Sequence, residues 1–404
     1  MEFEISAFRG FENILIGKKL SDVPKIISRI CGLCHASQTI VSCKCIEEMY
    51  KIKVNRQSTL IRRLLMSGEL LKSHTMHYFF QSLPDLLNIF DIYKKPLDVN
   101  DLIKFHPQLT SHIHDIIKIG NDIDYLFGGR SVHTITPIPG GTVYRPSQNK
   151  KNIIKKYFLK VLNNLEWIIE NYIDLFSKFN PPESFIIPNV NFLSLNNNKS
   201  YDRYDGIITI KKELAKRQDF RLEEYFNYFD KDPTIWGIDF ADKDHNFLVG
   251  PISRNQVVES YGSDGISEYL SLFDKNWRNN ILYAPFLRLI EMYVESQNSL
   301  KILEEPILKS TIPLPNLRSI ISREGIGVVE APRGLLIHHY RINNKNVLEE
   351  AKLFIATEIN IPLINEMISN YARKLYEKED LNTVKKEIQK IIRAFDPCIS
   401  CATH

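Results

Sequence analysis

The chain has 404 residues, 44% of them hydrophobic, and its 52 basic and 48 acidic side chains leave a formal charge of only +4. Charge so near balance, without a long basic run, excludes a general nucleic-acid binder, and the lack of about 18 consecutive apolar residues excludes a membrane-spanning helix. The apolar share is enough for a sizeable core, in one large domain or in two to three smaller ones. Met1-Glu2-Phe3-Glu4 shows neither a basic head nor an apolar signal core. A cytoplasmic, reducing setting is therefore expected, in which cysteines act as metal ligands or reactive thiols rather than as disulfides.

In chain order, residues 22 to 50 read as helical, with Val23, Ile26, Ile27 and Ile30 leading into Cys31-Gly32-Leu33-Cys34, and Ile46 and Met49 beyond it. Cys43 and Cys45 lie on this helix, pair with no other cysteine by spacing, and read as packing residues. Residues 58 to 82 repeat Leu60, Leu64, Leu65, Leu70 and Leu71 at helical spacing and set His74 and His77 on one face. Without a nearby carboxylate, this pair reads as helix surface or interface rather than as metal ligands.

The clearest helix runs from about 151 to 179, through Ile154, Phe158, Val161, Leu165, Ile168, Ile169, Tyr172 and Phe176, and Pro181-Pro182 stops it. From 183 to about 252 the pattern changes to short apolar runs such as Phe185-Ile186-Ile187 and Ile207-Ile208-Thr209-Ile210, a small β-containing insert. Helices return at about 281 to 304 and 346 to 392, the latter interrupted near Pro362. The expected fold is mainly α: a long-helix bundle with small β-containing insertions, forming one intertwined domain over residues 1 to 404.

A second pair, Cys398-Ile399-Ser400-Cys401, lies three residues before His404. Each CxxC presents two thiolates from one turn, and two pairs together make a four-sulfur site for a soft or borderline metal. On spacing alone a structural zinc site, a redox dithiol and plain packing remain open. Zinc ribbons place their pairs on short neighbouring loops, whereas here a whole folded domain must carry the second pair back to the first. A buried centre where the chain ends meet is expected.

Arg29-Ile30-Cys31-Gly32-Leu33-Cys34 and the stretch Arg393-Ala394-Phe395-Asp396-Pro397-Cys398-Ile399-Ser400-Cys401-Ala402-Thr403-His404 closely resemble the paired signatures of nickel–iron hydrogenase large subunits. Further stretches resemble the family in order: Arg9-Gly10-Phe11-Glu12, Gly128-Gly129-Arg130-Ser131-Val132-His133, Pro139-Gly140-Gly141, Val249-Gly250-Pro251 and Glu330-Ala331-Pro332-Arg333-Gly334. A zinc-stabilised interaction module would explain none of these.

The resemblance implies reversible heterolytic oxidation of H2 to protons and electrons. It implies Cys31 and Cys398 as terminal nickel ligands, with Cys34 and Cys401 bridging to an iron that carries carbon monoxide and cyanide. Arg333 would hang over the metals, a fixed cation whose nitrogen polarises hydrogen or acts as a base. Pro332 and the Arg333 backbone would line one cyanide, and Thr357 would donate to the other. Glu12, the Leu353 carbonyl and His404 would hold a magnesium or iron ion, hard-ion ligands by type.

No other cysteines are arranged for iron–sulfur clusters, so electrons would leave through an iron–sulfur small subunit, with further flavin-, ferredoxin- or deazaflavin-linked subunits beyond it. The terminal Cys-Ala-Thr-His resembles the soluble cytoplasmic branches of the family.

Two departures stand out. The family's proton-relay glutamate, normally upstream of the Arg-Gly-Phe-Glu stretch, is not among the residues before Arg9, and a segment further upstream is the expected explanation. Gln38 stands where the family tends to have histidine; its amide can still donate to a bound gas or a bridging sulfur. The competing reading is a non-catalytic, hydrogenase-like electron-transfer or assembly subunit, and retention of all four cysteines argues against it.

Overall fold

The computed structural model describes residues 2–3, 9–143, 147–212, 217–232, 237–309, 313–315, 317 and 319–403. The N-terminal part is helical: α1 (Gly10–Leu15), α2 (Val23–Ile27), α3 (His35–Met49), α4 (Arg56–His77) and α5 (Pro107–Gly128). The helix expected over 22 to 50 is broken at the first CxxC. A 3-10 turn over Ser28–Ile30 and extended backbone at Cys31 separate α2 from α3, and Cys34 occupies the α3 N-cap.

α4 runs into a π-helical turn at Tyr78–Ser82 and then a helix over Leu83–Ile89. It is buried nearly all round, charged residues included. A helix apolar on one side only would leave those charges in water. His74 and His77, expected at a helix surface or interface, are both buried on α4, against Glu291 and the Arg393 carbonyl respectively, so the surface alternative falls.

α6 (Gln148–Ile168) presents Ile154, Phe158, Val161, Leu165 and Ile168 to the core at the expected period, and helical structure continues to Ser177. Strands β1 (Asn191–Asn196), β2 (Ile207–Lys212), β3 (Arg217–Phe220) and β4 (Phe247–Leu248) follow, joined in the order β3-β2-β1-β4 with only the β1–β4 pairing parallel. α7 (Ala284–Glu304) returns to the helical core.

The next segment departs from expectation. β5 (Glu324–Ala331), β6 (Gly334–Ile342) and β7 (Leu348–Phe354) form an antiparallel sheet with β6 in the centre. Residues 348–354, expected to begin a helix, form its third strand. α8 (Ala356–Tyr376) then continues through Pro362, and the interruption falls at 377–380, before α9 (Leu381–Phe395) and the short α10 (Ile399–Ala402). Proline removes one helical hydrogen bond. Burial of Ile359, Leu363, Ile364, Met367 and Ile368 on the same helix offsets that loss.

β5 lies directly on α3. A Cβ on Gly327 would strike the Val41 carbonyl, and one on Gly325 would strike that of Cys45, so only glycine permits this approach of strand to helix. The Cys45 thiol donates to the Gly325 carbonyl at 2.7 Å, and Cys43 is fully buried, as packing residues should be. Among the described residues, no helix is long and apolar enough to cross a membrane.

Candidate metal centre

Three breaks in regular structure build the site. The loop between α2 and α3 carries Cys31 and Cys34, the β5–β6 turn carries Arg333, and the α9–α10 connection carries Asp396 and Cys398. Asp396 ends α9 in the left-handed region, at φ 56 and ψ 57, a conformation that aspartate tolerates better than most residues. That turn reverses the chain and delivers the second CxxC to the first.

The four sulfurs lie within 4.8 Å of one another and all four cysteines are buried. Cys398 Sγ is 3.5 Å from Cys31 Sγ and 2.8 Å from Cys401 Sγ, while Cys34 Sγ is 3.1 Å from Cys401 Sγ. None is in a disulfide. The N–H groups of Leu33 and Cys34 both point to Cys31 Sγ, at 3.3 and 3.4 Å.

Crowding separates the thiols chemically. Hydrogen bonds from Cys34, then from Cys398 and Cys401, pull Cys31 far below the ordinary thiol range, and the Arg333 charge adds to this. Burial pushes Cys401 well above that range, and Cys34 is raised chiefly through its contact with Cys31. A buried cluster of thiols with pooled protons is the donor set of a soft or borderline metal, which displaces those protons on binding. The residues fit such a metal.

Arg333 is anchored on two sides. Its Nε donates to the Asp396 carbonyl at 3.0 Å and to Asp396 Oδ1 at 3.1 Å, one terminal nitrogen lies 2.9 Å from the same Oδ1, and the other donates to Ser73 Oγ at 3.2 Å. Burial works against the guanidinium charge. Asp396, then the Cys398, Cys31 and Cys34 sulfurs, outweigh it, so Arg333 is held more firmly protonated than usual. The turn bearing Arg333 is clamped by Arg254, which donates to Glu330 at 2.8 Å, to the Ala331 carbonyl at 3.3 Å and to the Pro332 carbonyl at 3.0 Å. Arg254 in turn pairs with Glu291, which takes His74 Nε2 at 2.9 Å.

The Val-Gly-Pro stretch has its place here too. Gly250, at φ 109, packs against the Arg333 carbonyl so closely that a Cβ would lie 2.9 Å from it.

The remaining expected residues fall into two groups. Thr357 is beside the cluster: its Oγ1 accepts the Cys398 N–H at 2.9 Å, which leaves the hydroxyl proton free to donate elsewhere. Gln38, one turn after Cys34 on α3, is buried with its Oε1 2.9 Å from His338 Nε2, and His338 Nδ1 is 2.7 Å from the Tyr340 hydroxyl.

Glu12 and Leu353 do come together, through the Leu353 N–H donating to Glu12 Oε1 at 2.8 Å. Lys231 lies 3.7 Å from the same oxygen and also bridges both Glu358 oxygens at 2.9 and 2.8 Å. The Glu12 carboxylate is the donor type a hard cation takes, but here the Leu353 N–H and the Lys231 ammonium already face it. His404 lies outside the described residues.

Several residues that position the site carried no expectation. Asp396 sat in plain view within the Asp-Pro-Cys run. Glu69 and Lys72 are buried on α4, at positions where a charge inside an otherwise apolar helix is itself the signal. The Glu69 carboxylate accepts the Ala36 N–H at 2.6 Å and the Ser37 N–H at 3.1 Å, capping the start of α3 from another helix. Burial raises its pKa despite those bonds.

A family profile described as nickel-dependent hydrogenase matches residues 9–115 and 290–404. The chain is 26% identical to a subunit of the vhc F420-non-reducing hydrogenase of Methanococcus voltae, over 100% of this chain and 89% of that one. It is 27% identical to the beta subunit of the NAD-reducing hydrogenase HoxS of Cupriavidus necator, over 100% of this chain and 88% of that one. Among solved structures, an NAD+-reducing nickel–iron hydrogenase in its H2-reduced state superposes with a TM-score of 0.91 at 23% identity, covering 100% of this chain and 92% of that one. At that identity the likeness speaks for the fold.

Proposed function

Because the chain belongs to the nickel-dependent hydrogenase family, we propose that it is the catalytic component of a nickel–iron hydrogenase, passing electrons from H2 to an iron–sulfur partner. It is an oxidoreductase acting on hydrogen. The observation that carries the reading is the buried four-sulfur cluster, built from both chain ends, with a charged guanidinium held against it. When bound, the nickel–iron pair supplies the electron-accepting site at which H2 is split.

In this reading Cys31 and Cys398 would be terminal ligands of nickel, and Cys34 and Cys401 would also hold an iron with carbon monoxide and cyanide. Arg333 would present a fixed positive charge to the centre, its aim set by Asp396 and Ser73. A guanidinium held so firmly charged polarises a bound molecule at little cost in reorganisation. Pro332 and Thr357 would contact the ligands of the iron, and Gln38 would offer its amide to a bound gas or a sulfur. Thr357 fixes the backbone at Cys398. Glu12, Leu353 and His404 would hold a magnesium or iron ion.

Electrons leave through a separate iron–sulfur subunit, because Cys43 and Cys45 are buried packing residues. Further flavin-, ferredoxin- or deazaflavin-linked subunits take them on. The chain works in the cytoplasm as one intertwined unit, with residues 183 to 252 as an insert.

Metal analysis and infrared spectroscopy of protein purified without oxygen test this reading. Nickel and iron with carbonyl and cyanide stretching bands, together with H2-dependent dye reduction, are expected. Zinc alone would overturn it, as would a metal-free protein.

A further inference from the structure

A cavity of about 410 Å³ is lined by Lys211 of β2, by the short helices Pro251–Val257 and Ile266–Ser271, and by Arg278 and Tyr283 just before α7. None of its lining residues belongs to the sulfur cluster or holds Arg333. Pockets for small molecules begin at about 300 Å³, so this one has room for a ligand.

The fold leaves two hydroxyl groups here unused. Tyr283 is 1% exposed, and neither its hydroxyl oxygen nor that of Ser263 has a hydrogen-bond partner, although both oxygens are buried. A buried hydroxyl without a partner is costly, and native proteins seldom leave one.

Two cations border the same cavity without a carboxylate of their own. Lys211 Nζ donates to the Gln256 carbonyl at 2.5 Å. Arg278 donates to the Phe273 carbonyl through Nε at 3.2 Å and to the Leu270 carbonyl through Nη2 at 3.3 Å, which leaves its Nη1 unpartnered among the described residues. The carboxylate in the lining, Glu259, is tied to Lys199 at 2.8 Å. Burial, then the Arg217 charge, lowers the Lys211 pKa, and Glu259 offsets that only in part. Burial raises the Tyr283 pKa against the pull of the Arg278 charge, which places that guanidinium near the unused hydroxyl.

The lining thus combines two cations lacking counter-charge, free hydroxyl groups, and the apolar side chains of Ile266 and Leu270. A phosphate monoester carries roughly two negative charges near pH 7 and accepts from guanidinium and ammonium groups alike. We infer that this cavity binds a small hydroxylated organic phosphate of sugar-phosphate size, its charge answered by Lys211 and Arg278 and its hydroxyls by Tyr283 and Ser263. The site goes beyond the hydrogen chemistry and needs no metal. Asn255 and Gln256, which line it, follow Arg254 on one short helix, so it sits against the element that clamps the Arg333 turn.

Isothermal titration calorimetry of the purified complex tests this, with ribose 5-phosphate, glucose 6-phosphate and glycerol 3-phosphate as probes. Inorganic phosphate and the free sugars or glycerol serve as their separate halves. At least one ester should bind with a Kd at least about tenfold below that of either half. Lys211→Gln and Arg278→Gln each keep a donor for the carbonyls they hold, and each should weaken that ester about tenfold through loss of charge. Tyr283→Phe, which removes a single oxygen, should weaken it as well, and keeps the test available if a charge variant fails to fold. No binding of any ester at millimolar concentration would overturn the inference. So would inorganic phosphate binding as tightly as the best ester, an adventitious ion only, or an ester affinity that the folded variants leave intact.

Discussion

Asp396 shows how much one side chain decides. Its left-handed backbone turns the chain toward the cluster, while its carboxylate faces Arg333 at 2.9 Å and Arg288 at 3.8 Å. Burial alone would raise its pKa; Arg333, then His77 and Arg288, outweigh that and hold it below the usual carboxylate range. Asp396→Asn keeps the shape and removes the charge, taking away the largest compensation for two buried guanidinium groups. A loss of roughly 3–5 kcal/mol in urea unfolding is expected, with H2-dependent dye reduction down by at least about tenfold as Arg333 loses its aim. Unchanged turnover would show that the Ser73 contact alone is enough.

The buried histidines of α4 set a pH response. Burial pushes His77 down to about 3 and His74 to about 4, against about 6.5 in an unfolded chain. The unfolded state therefore binds more protons below pH 6.5. The stability tied to these imidazoles is complete above that value and lost as pH falls toward about 4, then toward about 3. Each titrating site adds a slope of up to about 1.4 kcal/mol per pH unit. Unfolding free energies measured from pH 7 to pH 4.5 should fall accordingly, and His77→Gln should make the fall shallower by nearly one site. An equal slope in the variant would mean that His77 is protonated in the folded protein as well.

At the scale of elements, the decisive contact is β5 lying on α3 through Gly325 and Gly327. Gly327→Ala would drive a methyl group into the Val41 carbonyl. Because backbone lies on both sides, α3 must move, and α3 begins at the first CxxC. A cost of about 1–3 kcal/mol is expected for such overpacking. Nickel retention should fall with it, as read by thermal unfolding and metal analysis of the same preparation. Full nickel content beside a lowered melting temperature would show that the shift is absorbed elsewhere. The same sheet explains why residues 348–354 look helical in sequence: Leu348, Ala351 and Leu353 suit either a helix or a strand, and pairing with β6 decides between them.

For the molecule as a whole, the site closes only when the two chain ends have met, since Cys31 and Cys398 are 367 positions apart. Metal binding is then coupled to folding. Cys398→Ser should abolish nickel retention and H2 turnover, and the apoprotein should melt below the metal-loaded form because only the folded state presents all four sulfurs together. Nickel at wild-type stoichiometry in that variant would remove Cys398 from the ligand set.

Much of this was legible in the residues themselves. The two CxxC runs, Glu-Ala-Pro-Arg-Gly and the periodic stretches of α4, α6 and α7 are local patterns, and ligand chemistry and helical period are properties of short segments. What only the tertiary structure decided are the partners: Asp396 and Ser73 for Arg333, Glu69 for the start of α3, Arg254 for the Pro332 carbonyl, and β6 for a strand where a helix start was expected. Those depend on which distant groups are buried together. A buried charge or backbone group takes whatever partner the fold brings within about 3 Å, and no local spacing encodes that distance.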